Sequence, residues 1–153
     1  MLKAGSKAPE FTLDDMSGGK KSLSEILKNG PALLGFYKIS CPVCQLTFPY
    51  LERISKGSLQ VIGISQDDER GTEKFQKNHN LTMPVLLDRD REDYPVSNAF
   101  GITHVPSIFV VEPDGNISLA FDGFVKRELE SLGARSGVAP FGPDDHVPEW
   151  KAG

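Results

Sequence analysis

Apolar residues fall into two regimes along this chain. Ala32 to Tyr37 and Leu59 to Ile64 are nearly continuous apolar runs, the pattern of strands buried on both faces. Between them Leu46, Tyr50, Leu51 and Ile54 recur at helical spacing. Pro42 falls at the predicted first turn of that helix, where its missing N–H is no loss, and Pro49 predicts a kink. Upstream, Phe11 to Leu13 reads as a short extended segment before a Ser17-Gly18-Gly19 turn. Ser22 and Glu25 fit a capping box that opens a short helix, which Asn29-Gly30 ends. Downstream, Glu69 to His79 is a polar, amphipathic helix, Pro84 to Leu87 a short strand and Tyr94 to Phe100 a further helix. Ser107 to Val111 and Ile117 to Phe121 flank Pro113-Asp114-Gly115-Asn116 and make a hairpin. Lys126 to Leu132 is the closing helix.

Strands alternating with helices predict an α/β fold with a central mixed sheet flanked by helices, and the last hairpin supplies an antiparallel edge. After Gly133 the pattern changes to prolines, glycines and few periodic apolar residues. The predicted division is therefore a domain over residues 1–132, beginning with an N-terminal extension, and a C-terminal tail over 133–153. Phe141, Val147 and Trp150 are the apolar residues by which that tail would dock on the domain's own surface or join two copies.

Composition narrows the function. The chain has 153 residues, one domain's worth, with 39% hydrophobic and 25% charged residues, which are globular values. Seventeen basic residues against 21 acidic ones give a net charge of −4, so no nucleic acid and no anionic membrane surface is expected as a partner. No apolar run approaches the roughly 18 residues that span a bilayer, and the start MLKAGSKAPE has no apolar signal core. The expected location is cytoplasmic.

The two cysteines, Cys41 and Cys44, share one Cys-Pro-Val-Cys tetrapeptide, too short a loop to stabilise the fold much if bridged. The tetrapeptide lies where a buried strand gives way to a helix N-terminus, outside the carboxyl end of the strand, where open α/β sheets place their sites. A helix N-terminus favours an anion, and the thiolate is the reactive form of cysteine, so Cys41 is expected to be activated there. Cys44, one turn further in, is placed to attack a mixed disulfide on Cys41. Val105-Pro106 precedes the strand from Ser107; a cis bond there would present the backbone of Val105 to an extended substrate, with Pro42 and Val43 lining the opposite side. His104 is either a proton shuttle near the dithiol or a polar loop residue. The pair also admits two plainer readings, buried small hydrophobes or half of a zinc or copper(I) site. The second lacks the four ligands zinc takes, with His104 the one near candidate, so no metal and no cofactor is expected. Asp88 to Asp93 lacks the glycine and the glutamate of a calcium loop and reads as a solvated loop; Asp67-Asp68-Glu69 caps the following helix. Lys38, Glu10 and Asp122 are charges that would tune the thiols if the fold brought them near.

Lys3 to Leu13 (KAGSKAPEFTL), Gly35 to Pro49 (GFYKISCPVCQLTFP), Val61 to Ser65 (VIGIS) and Val105-Pro106 follow one another as in thioredoxin-like redoxins. Over residues 3 to 132 the chain resembles the alkyl hydroperoxide reductase/thiol-specific antioxidant superfamily, nearest its TlpA-like thiol-disulfide oxidoreductases. The resemblance implies a thioredoxin fold, Cys41 as nucleophile, Cys44 as resolving thiol and Pro106 as a cis-proline. It also implies a disulfide or dithiol protein substrate and an electron donor such as a thioredoxin or glutathione system. Three positions depart from the pattern. Ser40 stands where relatives often have tryptophan, Thr47 where TlpA-like proteins often have a proton-transferring glutamate, and Pro42-Val43 where thioredoxins have Gly-Pro. A peroxiredoxin-like alternative makes Cys44 peroxidatic and Cys41 resolving. Its proline, however, would fall on Tyr37 or Lys38, and no arginine accompanies Pro106. The third alternative is a metal-delivery or redox-switch protein without turnover.

Overall fold

The computed structural model describes residues 1–153. In chain order it contains β1 (Thr12–Asp15), β2 (Lys20–Ser22), α1 (Leu23–Leu27), β3 (Ala32–Tyr37), α2 (Pro42–Ile54), β4 (Gln60–Ser65), α3 (Glu69–Asn78) and β5 (Val85–Leu87). There follow α4 (Pro95–Ala99), β6 (Ser107–Val111), β7 (Ile117–Asp122), β8 (Phe124–Val125), α5 (Lys126–Ser136) and β9 (Trp150–Lys151). Seven strands form one mixed sheet in the order β2-β1-β5-β4-β3-β6-β7. β3, β4 and β5 run parallel, joined by crossovers through α2 and α3, and the flanking strands pair antiparallel. This is the α/β fold expected of the sequence, with helices on both faces.

The period of two along β3 divides the core. Leu33 and Tyr37 point to one face and pack with Phe48, Leu51 and Ile54 of α2, Phe75 of α3 and Leu129 and Leu132 of α5. Leu34 and Phe36 point to the other, packing with Leu23 and Ile26 of α1 and with Val96 and Phe100 beside α4. Because β3 is buried on both faces from end to end, its C-terminal end is held firmly, and the Cys41 loop follows directly. No helix is long and apolar enough to cross a membrane.

Several details differ from the sequence reading. The first strand is Thr12–Asp15, one step beyond the predicted segment, and it pairs with β5, so the N-terminal hairpin of β1 and β2 builds one edge of the main sheet. Helix α2 carries Pro49 inside it and runs unbroken to Ile54. The closing helix continues to Ser136, so a boundary at 132 falls inside it. Gly133 reads as a stop but is buried with Pro140 so close that an added Cβ would lie 2.4 Å from Pro140 Cδ, and close packing is why glycine stands there. Gly137, at φ 83°, is the left-handed residue that ends the helix. The remaining tail docks on its own domain, as one of the two sequence expectations had it, through Phe141, which lies against Tyr50 and Phe124 with ring centroids 4.6 and 6.1 Å away, and Val147, whereas Trp150 stands exposed.

Candidate active site

Cys41 is the N-cap of α2. Its backbone is extended (φ −85°, ψ 116°), Pro42 opens the helix, and the amide of Cys44 donates to Cys41 Sγ at 3.2 Å. The sulfur thus takes the place that a serine or aspartate oxygen usually holds, where unpaired amides and the helix dipole favour negative charge. A hydrogen bond from the Cys44 thiol is the main influence on the Cys41 thiol. With the amides of Cys44 and Val43 it outweighs partial burial and brings Cys41 well below the ordinary range, to about 6. Cys44 is the opposite case. It is fully buried, and burial first, then its bond to Cys41 and the charge of Asp67, push its thiol far up. The two cysteines are free thiols.

Across from the helix, the Val105–Pro106 peptide bond is cis. The Cys41 thiol donates to the Val105 carbonyl at 3.4 Å, so the two loops meet at that sulfur. Pro42 is exposed beside it, Val43 is buried beneath, Val105 is half-buried and Pro106 is buried. Of the four, Pro42 and Val105 are therefore the ones open to solvent beside Cys41.

The other predicted residues divide. Thr47 is fully buried and donates its hydroxyl to the Val43 carbonyl at 2.7 Å, a bond internal to α2. His104 is exposed, its Nδ1 within 3.0 Å of the Thr103 hydroxyl, and it makes no hydrogen bond to either sulfur. Lys38 stacks its ammonium 4.8 Å from the Tyr94 ring centre, Glu10 accepts from the amides of Phe11 and Ser24, and Asp122 lies exposed at the end of β7. None of the three side chains bonds to a thiol, although the Lys38 backbone makes a hydrogen bond to Cys44 that works against the rise in its pKa. No group of three or more His, Cys, Asp or Glu side chains is arranged to hold a metal ion. Asp88 is a buried structural acceptor, taking the amides of Val96 and Ser97 at the start of α4.

Two contributors escaped the sequence reading. Asp68 alone caps α3, accepting from Gly71 N at 2.9 Å, which frees Asp67 to accept from the amide of Ile39 at 2.8 Å and so fix the loop leading to Cys41. The spare carboxylate in the Asp67-Asp68 pair was the available signal. Tyr37 is fully buried behind the dithiol with no hydrogen-bond partner for its hydroxyl, and burial raises its pKa. In sequence it is indistinguishable from the other apolar residues of β3.

Residues 4–120 match the AhpC/TSA family. A thiol-disulfide oxidoreductase, ResA of Geobacillus thermodenitrificans, is 27% identical over 141 residues, covering 86% of this chain and 79% of that protein. The thioredoxin domain of a thiol-disulfide oxidoreductase from Bacteroides vulgatus superposes with a TM-score of 0.76 at 24% identity, covering 88% of this chain and 98% of that one. Peroxidoxin BcpB from Mycobacterium tuberculosis gives a TM-score of 0.72 at 23% identity, with the same two coverages of 88% and 98%. The fold is therefore thioredoxin-like.

Proposed function

The chain belongs to the AhpC/TSA family, and from that premise we propose that it is a thiol-disulfide oxidoreductase in which Cys41 attacks and Cys44 resolves. The Cys41 thiolate attacks one sulfur of a substrate disulfide. The substrate S–S bond breaks, a mixed disulfide with Cys41 forms, and the departing thiolate takes up a proton. Cys44 then gives up its proton and attacks Cys41 Sγ. The second substrate thiol leaves, and a Cys41–Cys44 disulfide remains. The substrate gains two electrons, which a dithiol donor protein or glutathione returns; run backwards, the same steps oxidise a substrate dithiol.

The observation that carries this reading is the asymmetry of the pair: Cys41 half-exposed with a thiol near 6, Cys44 buried with its thiol raised. A nucleophile has to be accessible and ionised, and a resolving thiol has to wait until a mixed disulfide reaches it. The same asymmetry disfavours Cys44 as a peroxidatic residue. Substrates of this reading are protein disulfides or small disulfides, approaching Cys41 beside exposed Pro42 and half-buried Val105, with buried Val43 and Pro106 shaping the two loops. The test is trapping. Cys44→Ser should accumulate a Cys41 mixed disulfide detectable by mass, and Cys41→Ser should abolish exchange; exchange at the wild-type rate in Cys41→Ser sinks the assignment.

A further inference from the structure

Beyond Phe141 the tail keeps contact with the domain and travels toward the dithiol. Arg53 holds Asp145 through two bonds of 2.7 and 3.2 Å, and the Lys126 amide donates to the Glu149 carbonyl at 3.0 Å. β9 then pairs antiparallel with β8, Lys151 opposite Phe124 and Trp150 opposite Val125. Gly123 and Gly153 show how closely the segment lies. An added Cβ on Gly123 would sit 2.5 Å from the Lys151 carbonyl oxygen, and one on Gly153 would sit 2.4 Å from the Val105 carbonyl oxygen and 3.5 Å from Pro106 Cδ. That Val105 carbonyl is the one the Cys41 thiol reaches at 3.4 Å.

We propose that residues 150–153 are a strap laid over the Val105 edge, and that this strap sets which disulfides the site accepts. An extended polypeptide adds to an exposed backbone edge through its own amides and carbonyls, and here Gly153 already covers that edge. A small disulfide needs only the sulfur of Cys41, which stays half-exposed beside the strap. The strap is lightly held: its pairing spans two residues, Trp150 is 64% exposed, and Lys151, Ala152 and Gly153 are all exposed. Segments with so few buried contacts open at low cost, so a polypeptide substrate can displace it, its apparent affinity reduced by the fraction of time the edge is covered.

The inference rests on Cys41 being the attacking thiol. The experiment compares the 153-residue chain with two variants, one stopped after Glu149 and one carrying Gly153→Val, whose side chain has no room against Val105. Truncation keeps the Phe141 and Asp145 anchors. The readout is kcat/KM for insulin disulfides and for bis(2-hydroxyethyl) disulfide. Truncation should raise the insulin value about fivefold or more and leave the small disulfide within about twofold, with Gly153→Val moving in the same direction. An equal change for both substrates, no change for either, or a fall for insulin with Gly153→Val overturns the strap. Failure of the underlying assignment looks different: Cys41→Ser would then still turn over both disulfides.

Discussion

The carboxylate of Asp67, just past the end of β4, holds the amide of Ile39, two residues before Cys41, at 2.8 Å. Gln45 Nε2 completes the clamp from the helix side by donating to the Ile39 carbonyl at 3.0 Å. The loop entering the Cys-Pro-Val-Cys turn is thus fixed at both polar groups of one peptide residue. The same carboxylate sets a negative charge near Cys44, where it adds to the burial that keeps that thiol protonated.

Asp67→Asn separates the two effects. An asparagine oxygen can still accept from Ile39, but the charge is gone, so the Cys44 pKa should fall and resolution should quicken. With a chromogenic thiol loaded on Cys41, release should be about two- to threefold faster than in wild type. Asp67→Ala removes the clamp as well and should slow the first attack. Slower release in Asp67→Asn would mean that the carboxylate instead takes the Cys44 proton.

Alkylation of Cys41 by iodoacetamide should rise with pH to half its maximum near pH 6, the value set first by the Cys44 thiol and then by the Cys44 and Val43 amides. The sign follows from the thiolate being the nucleophile: rate is lost as pH falls through that value. Cys44→Ala keeps the amide but deletes the thiol donor, so the midpoint should move upward and the rate at pH 7 drop by about fivefold or more. Cys44→Ser, which retains a donor, should move it less. An unchanged midpoint in Cys44→Ala would assign the activation to the helix amides alone.

Those features that local chemistry dictates were legible in the sequence. The capping box is present, with Ser22 Oγ accepting from the Glu25 amide and Glu25 Oε1 from the Ser22 amide. The continuous apolar run of β3, the Pro42 helix start and the Val105-Pro106 turn all stand where residue chemistry put them. Pairings decided by distant partners were illegible. The antiparallel match of Asp14 with Leu87 carries no local signature, nor does the two-residue pairing of Phe124 and Val125 with Lys151 and Trp150. For His104 the sequence left two readings, proton shuttle or polar loop residue; its exposed ring pairs with Thr103 and bonds to neither sulfur, which fits the second.

Glu52 offers a test of stability away from the chemistry. It is buried in α2 and accepts the amides of Thr82 and Met83 at 2.9 and 3.0 Å, with the Thr82 hydroxyl and Lys56 on its other oxygen. Burial pushes its carboxyl up, but the Thr82 hydroxyl, Lys56 and the two amides together hold it below its ordinary 4.5. A depressed folded pKa stabilises the fold above the unfolded value and is lost as pH falls through the folded one. Glu52→Ala strands two amides and should cost about 2–3 kcal/mol in urea unfolding at pH 7. Glu52→Gln should cost less, and its gap from wild type should close as pH drops below 4.5. A gap that stays constant with pH would show that the charge is not what stabilises this contact.

Peroxide separates the two chemistries that share this fold. A peroxidatic cysteine has to be ionised and reachable, and Cys44 is neither, being fully buried with its thiol raised. Cys41 has its pKa lowered to about 6, but the groups at its sulfur are the Cys44 amide and thiol and the Val105 carbonyl, with no cation to polarise an O–O bond. Reduced protein mixed with hydrogen peroxide in a stopped-flow instrument should therefore lose thiols slowly, at about the rate of a free thiolate, and Cys41→Ser should be slower still. Fast oxidation that survives Cys41→Ser and disappears in Cys44→Ser would reverse the roles of the two cysteines. Burial would then have to be relieved by a local opening at the first turn of α2, where Cys44 sits.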